Sequence, residues 1–368
     1  MSLGRLKVGT SIFGHIRLRD RDAIITPEGL IFRVLGYTHP PDGYICDIEY
    51  APSEIYQSSN TKAYRSDGKR VFYKFYGDEG WKFLLEKYPK YMLDQRFLGR
   101  KVIGVKHEDI KEIRRPEDKL RQLIGSSLTD ELIRALQSLL IIFEDQGLPL
   151  ENFGIFGSLL HGFHNPKFSD LDIIIYGRKH LEEIRDVLNE LYNQGRYPLK
   201  NEFADDSPIS GKVWHFRNIN PMEFLLHQRR KLIYAVFHDK SSGWRIKAEF
   251  EPVKAWQEIS NEYQEIISTS RVGWIKAILK VINDEDGPFM PSIYYVEPVE
   301  ILEGPRCDDI LKVISYVEEF RMQCFRDEIV YAEGNLERVN TKKGKFHQIT
   351  LTYGPRYYEQ TLKVIASI

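Results

Sequence analysis

What the 368-residue chain has little of narrows its class before any motif is read. Its three cysteines, Cys46, Cys307 and Cys324, are too few and too far apart for a disulfide framework or a zinc spacing, and they read as reduced core residues. No HExxH and no Cys/His cluster points to zinc. No run of about 18 apolar residues occurs, and the start MSLGRLKVGT has no apolar core of signal-peptide length. The expectation is therefore a cytoplasmic protein with no membrane partner. Neither sign of charge dominates: Lys plus Arg number 52 against 53 Asp plus Glu. That balance removes a global field for nucleic acid or membrane, while a local basic face stays compatible with it. A Walker A sequence is missing, and GIFGSLLHG has the wrong spacing for a GxGxxG turn, which argues against P-loop and Rossmann chemistry.

What is present is a folded chain of several parts. Hydrophobic residues make up 42% and aromatic residues 12%, a composition that buries a core, and the length exceeds what one core supports. Residues 1–125 read as mostly β. DAIITPEGLIFRVLGY places two β-branched runs around Pro27-Glu28-Gly29, THPPDGYICDIEY opens on turn residues, and KRVFYKFYG and RKVIGVKHEDI add strands. GWKFLLEKYPKYML has helical spacing broken at Pro89. Residues 126–268 alternate strand and helix. SLTDELIRALQSLLIIFEDQG is the clearest helix, with Thr129 as N-cap, apolar residues at Leu132, Leu136, Leu139, Leu140 and Phe143, and Gly147 and Pro149 at its end. NFGIFGS and LDIIIYG read as strands. HLEEIRDVLNELYNQG reads as an amphipathic helix with Leu181, Ile184, Leu188 and Leu191 on one face. KVWHFRNI is expected as a strand, and MEFLLHQRRKLIYAVF as one helix aligning Met222, Leu225, Leu226, Ile233, Val236 and Phe237. WRIKAEFEP is expected as a strand ended by Pro252. Residues 269–368 read as two hairpins, around NDEDGPFMP and NTKKG, with DDILKVISYVEEFRMQC leaning to strand on its β-branched content. The fold class is α+β: a central α/β domain with a mixed sheet, flanked by a β-rich N-terminal domain and a β-barrel-like C-terminal one for which an OB-like form is a candidate.

The chemistry concentrates in FGSLLHGFHNPKFSDLDIIIYG. Alternate residues of a strand share a face, so Asp170 and Asp172 project together while Leu171 points inward. Side-by-side carboxylates repel, and one is driven to hold a proton unless a cation neutralises both. Mg²⁺ (or Mn²⁺) suits them, since it takes oxygen ligands from one or two carboxylates together with substrate phosphates. Gly157 lets backbone approach a ligand, and Ser158 opens a turn of helix whose free N–H groups favour an anion.

This pattern resembles the DNA polymerase β-like nucleotidyltransferase superfamily: an apolar strand with Gly-Ser (GIFGS), a short helix and loop (LLHGFHNPKF), then Asp-x-Asp on the next strand (SDLDIII). The three-part layout, with GLIFRVLGYTHPP in its first part, also resembles a group of archaeal predicted nucleotidyltransferases. The resemblance implies a nucleoside triphosphate on Gly157 and Ser158, and divalent metal on Asp170, Asp172 and a third carboxylate on a neighbouring strand, which lines up the acceptor hydroxyl with the metal. In RIKAEFEP, Glu249 and Glu251 share a face. The resemblance to members whose third acid stands three residues before a proline favours Glu249, marked by Pro252, with Glu251 second; where the family often has Asp, this chain has Glu. The implied reaction moves a nucleoside monophosphate to an acceptor hydroxyl, on RNA or DNA as the leading acceptor, with release of pyrophosphate. The rival reading is a non-catalytic nucleic-acid-binding or regulatory protein on the same core.

Other residues weigh less. Arg229, in the basic run Arg229-Arg230-Lys231, is a candidate for a phosphate, although a snorkelling surface arginine is the commoner case. His161 and His164 flank the motif, where most loop histidines are solvated. Trp214 and His215 could stack a base, against the ordinary core role of tryptophan. The turn Thr341-Lys342-Lys343-Gly344-Lys345 is basic, as solvated hairpin turns often are.

Overall fold

A computed structural model describes residues 16–95, 100–126, 130–195, 198–240, 242–354 and 356–367, which form three sheets in chain order. The first contains β1 (Ala23–Ile25), β2 (Ile31–Val34), β3 (Gly43–Pro52), β4 (Tyr64–Ser66), β5 (Val71–Lys74), β6 (Met92–Gln95), β7 (Arg100–Lys106) and β8 (Glu112–Arg114), with α1 (Glu79–Lys87) between β5 and β6. Its order is β4-β5-β3-β2-β1-β8, with β7 also paired to β3 and β6 to β7. Gly29, at φ +86°, makes the turn of the β1–β2 hairpin that Pro27-Glu28-Gly29 announces.

The second sheet belongs to α2 (Pro116–Ile124), α3 (Glu131–Asp145), β9 (Phe153–Ile155), α4 (Gly157–His161), β10 (Leu171–Tyr176), α5 (Arg178–Gln194), β11 (Leu199–Asn201), α6 (Pro221–Lys231), β12 (Tyr234–His238) and β13 (Arg245–Val253). The order is β11-β12-β13-β10-β9. β10 and β13 run parallel and their other neighbours antiparallel. The apolar stripes read from the sequence of α3 and α5 are buried, Leu132 through Phe143 and Leu181 through Leu191, against Leu171, Ile173, Ile175, Ala248 and Phe250. Leu120 and Leu123 of α2 join the same core. The expected N-cap Thr129 lies outside the described residues; Asp130 caps α3, its side chain accepting from Ile133 N at 3.0 Å.

The third sheet contains β14 (Ile266–Asp286), β15 (Ser292–Glu303), β16 (Ile310–Ser315), β17 (Glu328–Thr341), β18 (Gly344–Leu351) and β19 (Thr361–Ser367). Both expected hairpins are there, β14–β15 and β17–β18. The path β14-β15-β16-β18-β17 returns to β14 through a further pairing, with β16 and β18 parallel and β19 beyond β17. All three cysteines are free and buried. No helix among the described residues is long and apolar enough to cross a membrane.

Four local expectations are corrected. Residues 212–219 are irregular, not a strand. The Trp214 indole donates to Ile219 O at 2.7 Å, Arg217 N donates to Tyr358 O at 2.9 Å, and the segment packs on the third core without joining a sheet. The helix expected across 222–237 stops at Lys231, because Leu232 turns left-handed at φ +57° and the chain enters β12. Met222 and Leu226 are accordingly exposed while Leu225 is buried. β13 does not end at Pro252 but continues to Val253. Phe250 N bonds Ile233 O, the residue before β12 begins. Pro252, two residues on, therefore faces the side where β12 no longer pairs, and its missing N–H costs no ladder bond. In the 308–324 segment only Ile310–Ser315 is strand, followed by a single 3₁₀ turn at Glu318–Phe320.

Candidate active site

The acids stand where alternation puts them. On β10, Leu171, Ile173 and Ile175 face the helices, while Ile174 and Tyr176 face a second apolar cluster shared with the first sheet. Asp172 is on this second face, and Asp170 stands in the loop that leads into β10. β13 repeats the arrangement: Ala248 and Phe250 point to the helices, Glu249, Glu251 and Val253 to the other side. The parallel register sets Asp172 beside Glu249 and Ile174 beside Glu251. Asp172, Glu249 and Glu251 thus occupy one face, Asp172 and Glu249 half-buried and Glu251 buried, while Asp170, expected on the same strand face, is exposed just before β10 begins at Leu171.

Gly157 closes the site from β9. Phe156 N donates to Asp172 O at 2.8 Å, then Gly157 takes φ +60° and starts α4. A Cβ at this position would lie 1.8 Å from Asp172 Oδ2, so the carboxylate rests directly on the glycine backbone. Ser158 is half-buried on α4, and the helix start has no side-chain cap.

The electrostatics separate the two glutamates. Burial, with the Glu251 and Asp170 carboxylates near, pushes Asp172 up to about 7 against Lys74 and Arg21. Burial and Glu251 push Glu249 up to about 8 in spite of Arg321. Asp170 is also raised by burial, opposed by Lys247. Glu251 moves the other way: burial works to raise it, and Arg21 and Arg321 overcome that. Its Oε2 accepts from Arg21 Nη2 at 2.8 Å and from Arg321 Nη1. Arg21 also bonds Glu318 at 2.9 Å. Glu251 is therefore an ion-paired strut between three sheets, whereas Asp170, Asp172 and Glu249 form no ion pair within 4.0 Å among the described residues.

The remaining candidates are held elsewhere. Arg229 donates to Phe203 O and Ala204 O, both at 2.8 Å, anchoring α6 to the turn after β11. His161 is buried at the end of α4 with Arg114 Nη1 at 3.2 Å from its Nδ1, and burial lowers its pKa. His164 pairs with Asp130 at 2.7 Å. Trp214 is tied into its own loop, and the His215 ring lies 4.9 Å from that of Tyr358. Lys342 lies 3.8 Å from Glu265. Arg21, Glu318 and Arg321 belong to no motif in the sequence. Its available signal was the run Arg19-Asp20-Arg21-Asp22, four consecutive charged residues, all buried, immediately before an apolar strand.

Among the described residues, the three-ligand group drawn within 4.8 Å is Cys307, Asp309 and His347, so the acids of the sheet face are spaced more widely. That group is internally hydrogen-bonded: Asp309 Oδ1 accepts from Cys307 at 2.9 Å and faces His347 Nδ1 at 2.6 Å. Arg338 donates to His347 Nε2, where a metal-bound imidazole needs an acceptor. Its chemistry is that of a lock between β18 and the turn before β16.

Residues 136–238 match the family model described as a nucleotidyltransferase domain. The chain carries a nucleotidyltransferase domain. The match begins within α3, contains Gly157, Ser158, Asp170 and Asp172, and ends with β12. The chain is also 28% identical over 343 residues to an uncharacterized protein of Methanocaldococcus jannaschii, covering 90% of this chain and 94% of that one. No solved structure matches it. The nucleotidyltransferase domain supports nucleotidyl transfer with a nucleoside triphosphate as substrate, and its family generally uses divalent metals.

Proposed function

We propose that this nucleotidyltransferase moves a nucleoside monophosphate from a nucleoside triphosphate to an acceptor hydroxyl on nucleic acid, with release of pyrophosphate. The observation that carries the reading is the Asp172–Glu249 pair. Matched in register on parallel strands, half-buried, pushed to about 7 and about 8, these are oxygen donors whose ionised forms need a cation. With exposed Asp170 they supply the carboxylate oxygens that Mg²⁺ or Mn²⁺ takes. Bound there, such an ion neutralises phosphate charge and lowers the pKa of an oxygen it touches.

Asp170 and Asp172 are the metal-holding acids, and Glu249 is the third carboxylate, set to align the acceptor hydroxyl and take its proton. Glu249 suits that role because its pKa sits close to neutral. The Gly157-Ser158 turn offers the phosphates free backbone N–H groups beside Asp172. Positioning and charge neutralisation supply the rate, and the protein forms no covalent bond to the nucleotide. Arg229 has no part in it, since its guanidinium is engaged on carbonyls.

The nucleic-acid acceptor is favoured by the third sheet. Its strand circuit, with one parallel pair between β16 and β18, supports an OB-like barrel, a form that binds oligonucleotides; that support is fold analogy. The test is incubation with each labelled nucleoside triphosphate, Mg²⁺ or Mn²⁺ and a mixed RNA and DNA pool. Label entering polymer, dependent on Asp172, is the expected result. Pyrophosphate release with label on protein or small molecules alone would reject nucleic acid as the acceptor.

A further inference from the structure

Several cations near the acids in the central domain are engaged by other groups. Arg229 holds two carbonyls, Arg230 pairs with Glu328 at 2.5 Å, Lys231 Nζ donates to Glu319 O at 2.7 Å, and Lys247 pairs with Glu202 at 2.5 Å. Arg21 and Arg321, beside the acids, are engaged by Glu251. A triphosphate with its divalent ions over three carboxylates remains net negative, and in a partly buried cleft that charge needs a cation at close range.

One stands on the facing sheet. Phe72 and Lys74 alternate on β5 and share a face. Phe72 packs its ring 4.8 Å from that of Phe163, just after α4. Across the β3–β5 ladder Lys74 lies opposite Tyr50, whose ring is 5.4 Å from His161 and 5.2 Å from Phe163. This face of the first sheet is thus the one that covers α4 and β10. Lys74 is half-buried, and its charge is felt at both Asp172 and Glu318. Its ammonium is 5.8 Å from the Tyr76 ring centroid. Among the described residues it makes no ion pair within 4.0 Å and no side-chain hydrogen bond.

We infer that Lys74 is the phosphate-binding cation of the nucleotide site, carried to the central domain by the N-terminal sheet. The inference rests on the nucleotidyl-transfer reading, and it makes the first sheet a wall of the active site. A lysine suits the task as a mobile point charge on a flexible stem, able to follow the triphosphate as pyrophosphate departs.

Inorganic tripolyphosphate with Mn²⁺ tests this by calorimetric titration of the full chain, wild type against Lys74→Gln, Lys74→Arg and Asp172→Asn. Loss of one charge-assisted contact is expected to weaken tripolyphosphate about tenfold or more in Lys74→Gln. Lys74→Arg should restore most of it, and Mn²⁺ binding without tripolyphosphate should be the same in Lys74→Gln as in wild type. If Lys74→Gln binds Mn²⁺–tripolyphosphate as tightly as wild type while Asp172→Asn does not, Lys74 is not the ligand and the acid site stands. If wild type itself binds none, the acid site falls with it. The unliganded melting temperature of Lys74→Gln, expected to match wild type, separates lost binding from lost fold.

Discussion

At Gly157 a backbone atom and a carboxylate meet in one place. Alanine there would set its Cβ 1.8 Å from Asp172 Oδ2 at a φ of +60°, so Asp172 must move, and a left-handed alanine adds a cost of about 1 kcal/mol. Gly157→Ala is expected to abolish metal-dependent nucleotide binding while lowering stability by a few kcal/mol at most; unchanged binding would detach Asp172 from that function. Asp172 and Glu249 make a pH prediction with a definite sign. Both hold their protons more tightly in the folded chain, at about 7 and about 8, than in the unfolded one, near 4. The folded state therefore carries extra protons across that window, and their contribution to stability falls as pH rises from about 4 to about 8. Asp172→Asn, which cannot ionise, should be more stable than wild type at pH 8 without divalent cation. The gain should be on the order of 2 kcal/mol, shrinking toward pH 4. Denaturant unfolding at both pH values measures it, and equal stability at pH 8 would contradict the assigned environment.

On β13 two glutamates one alternation apart do opposite work. Glu251 is bonded by Arg21 and Arg321 inside the molecule, so Glu251→Gln leaves buried arginines short of charge and is expected to cost about 3 kcal/mol or more of stability. Glu249→Gln removes a carboxylate that burial disfavours, and should keep or raise the melting temperature while transfer is lost. Thermal unfolding beside the labelled-nucleotide assay resolves the two, and a stable, inactive Glu251→Gln would exchange their roles. The elements that local pattern specifies were legible. The stripes of α3 and α5 bury the residues that their periodicity marks, and the alternation of β10 and β13 places Asp172, Glu249 and Glu251 on one face. The end of α6 was not legible, because Leu232 turns the chain with no glycine or proline to announce it. Residues 212–219 have strand-like composition, but their partner is a loop carbonyl and a remote core.

At the scale of the molecule, the acid face looks into a junction of all three sheets. Arg21 comes from the segment before β1, Glu251 from β13, and Glu318 and Arg321 from the turn after β16. No local motif writes such a contact, since Arg21 and Glu318, which bond directly, are 297 residues apart. The sequence motif marked Gly157, Ser158, Asp170 and Asp172; the arginines that sort Glu249 from Glu251 required the fold. The proposed reaction needs the acids to hold divalent cation against a triphosphate. Its most direct measurement is thermal unfolding of wild type and the Asp170→Asn/Asp172→Asn double variant with Mn²⁺ and nucleoside triphosphate, together and separately. A ligand that binds only the folded state raises the melting temperature, so wild type should rise with both present and the variant should not. An equal response of the two proteins would contradict it.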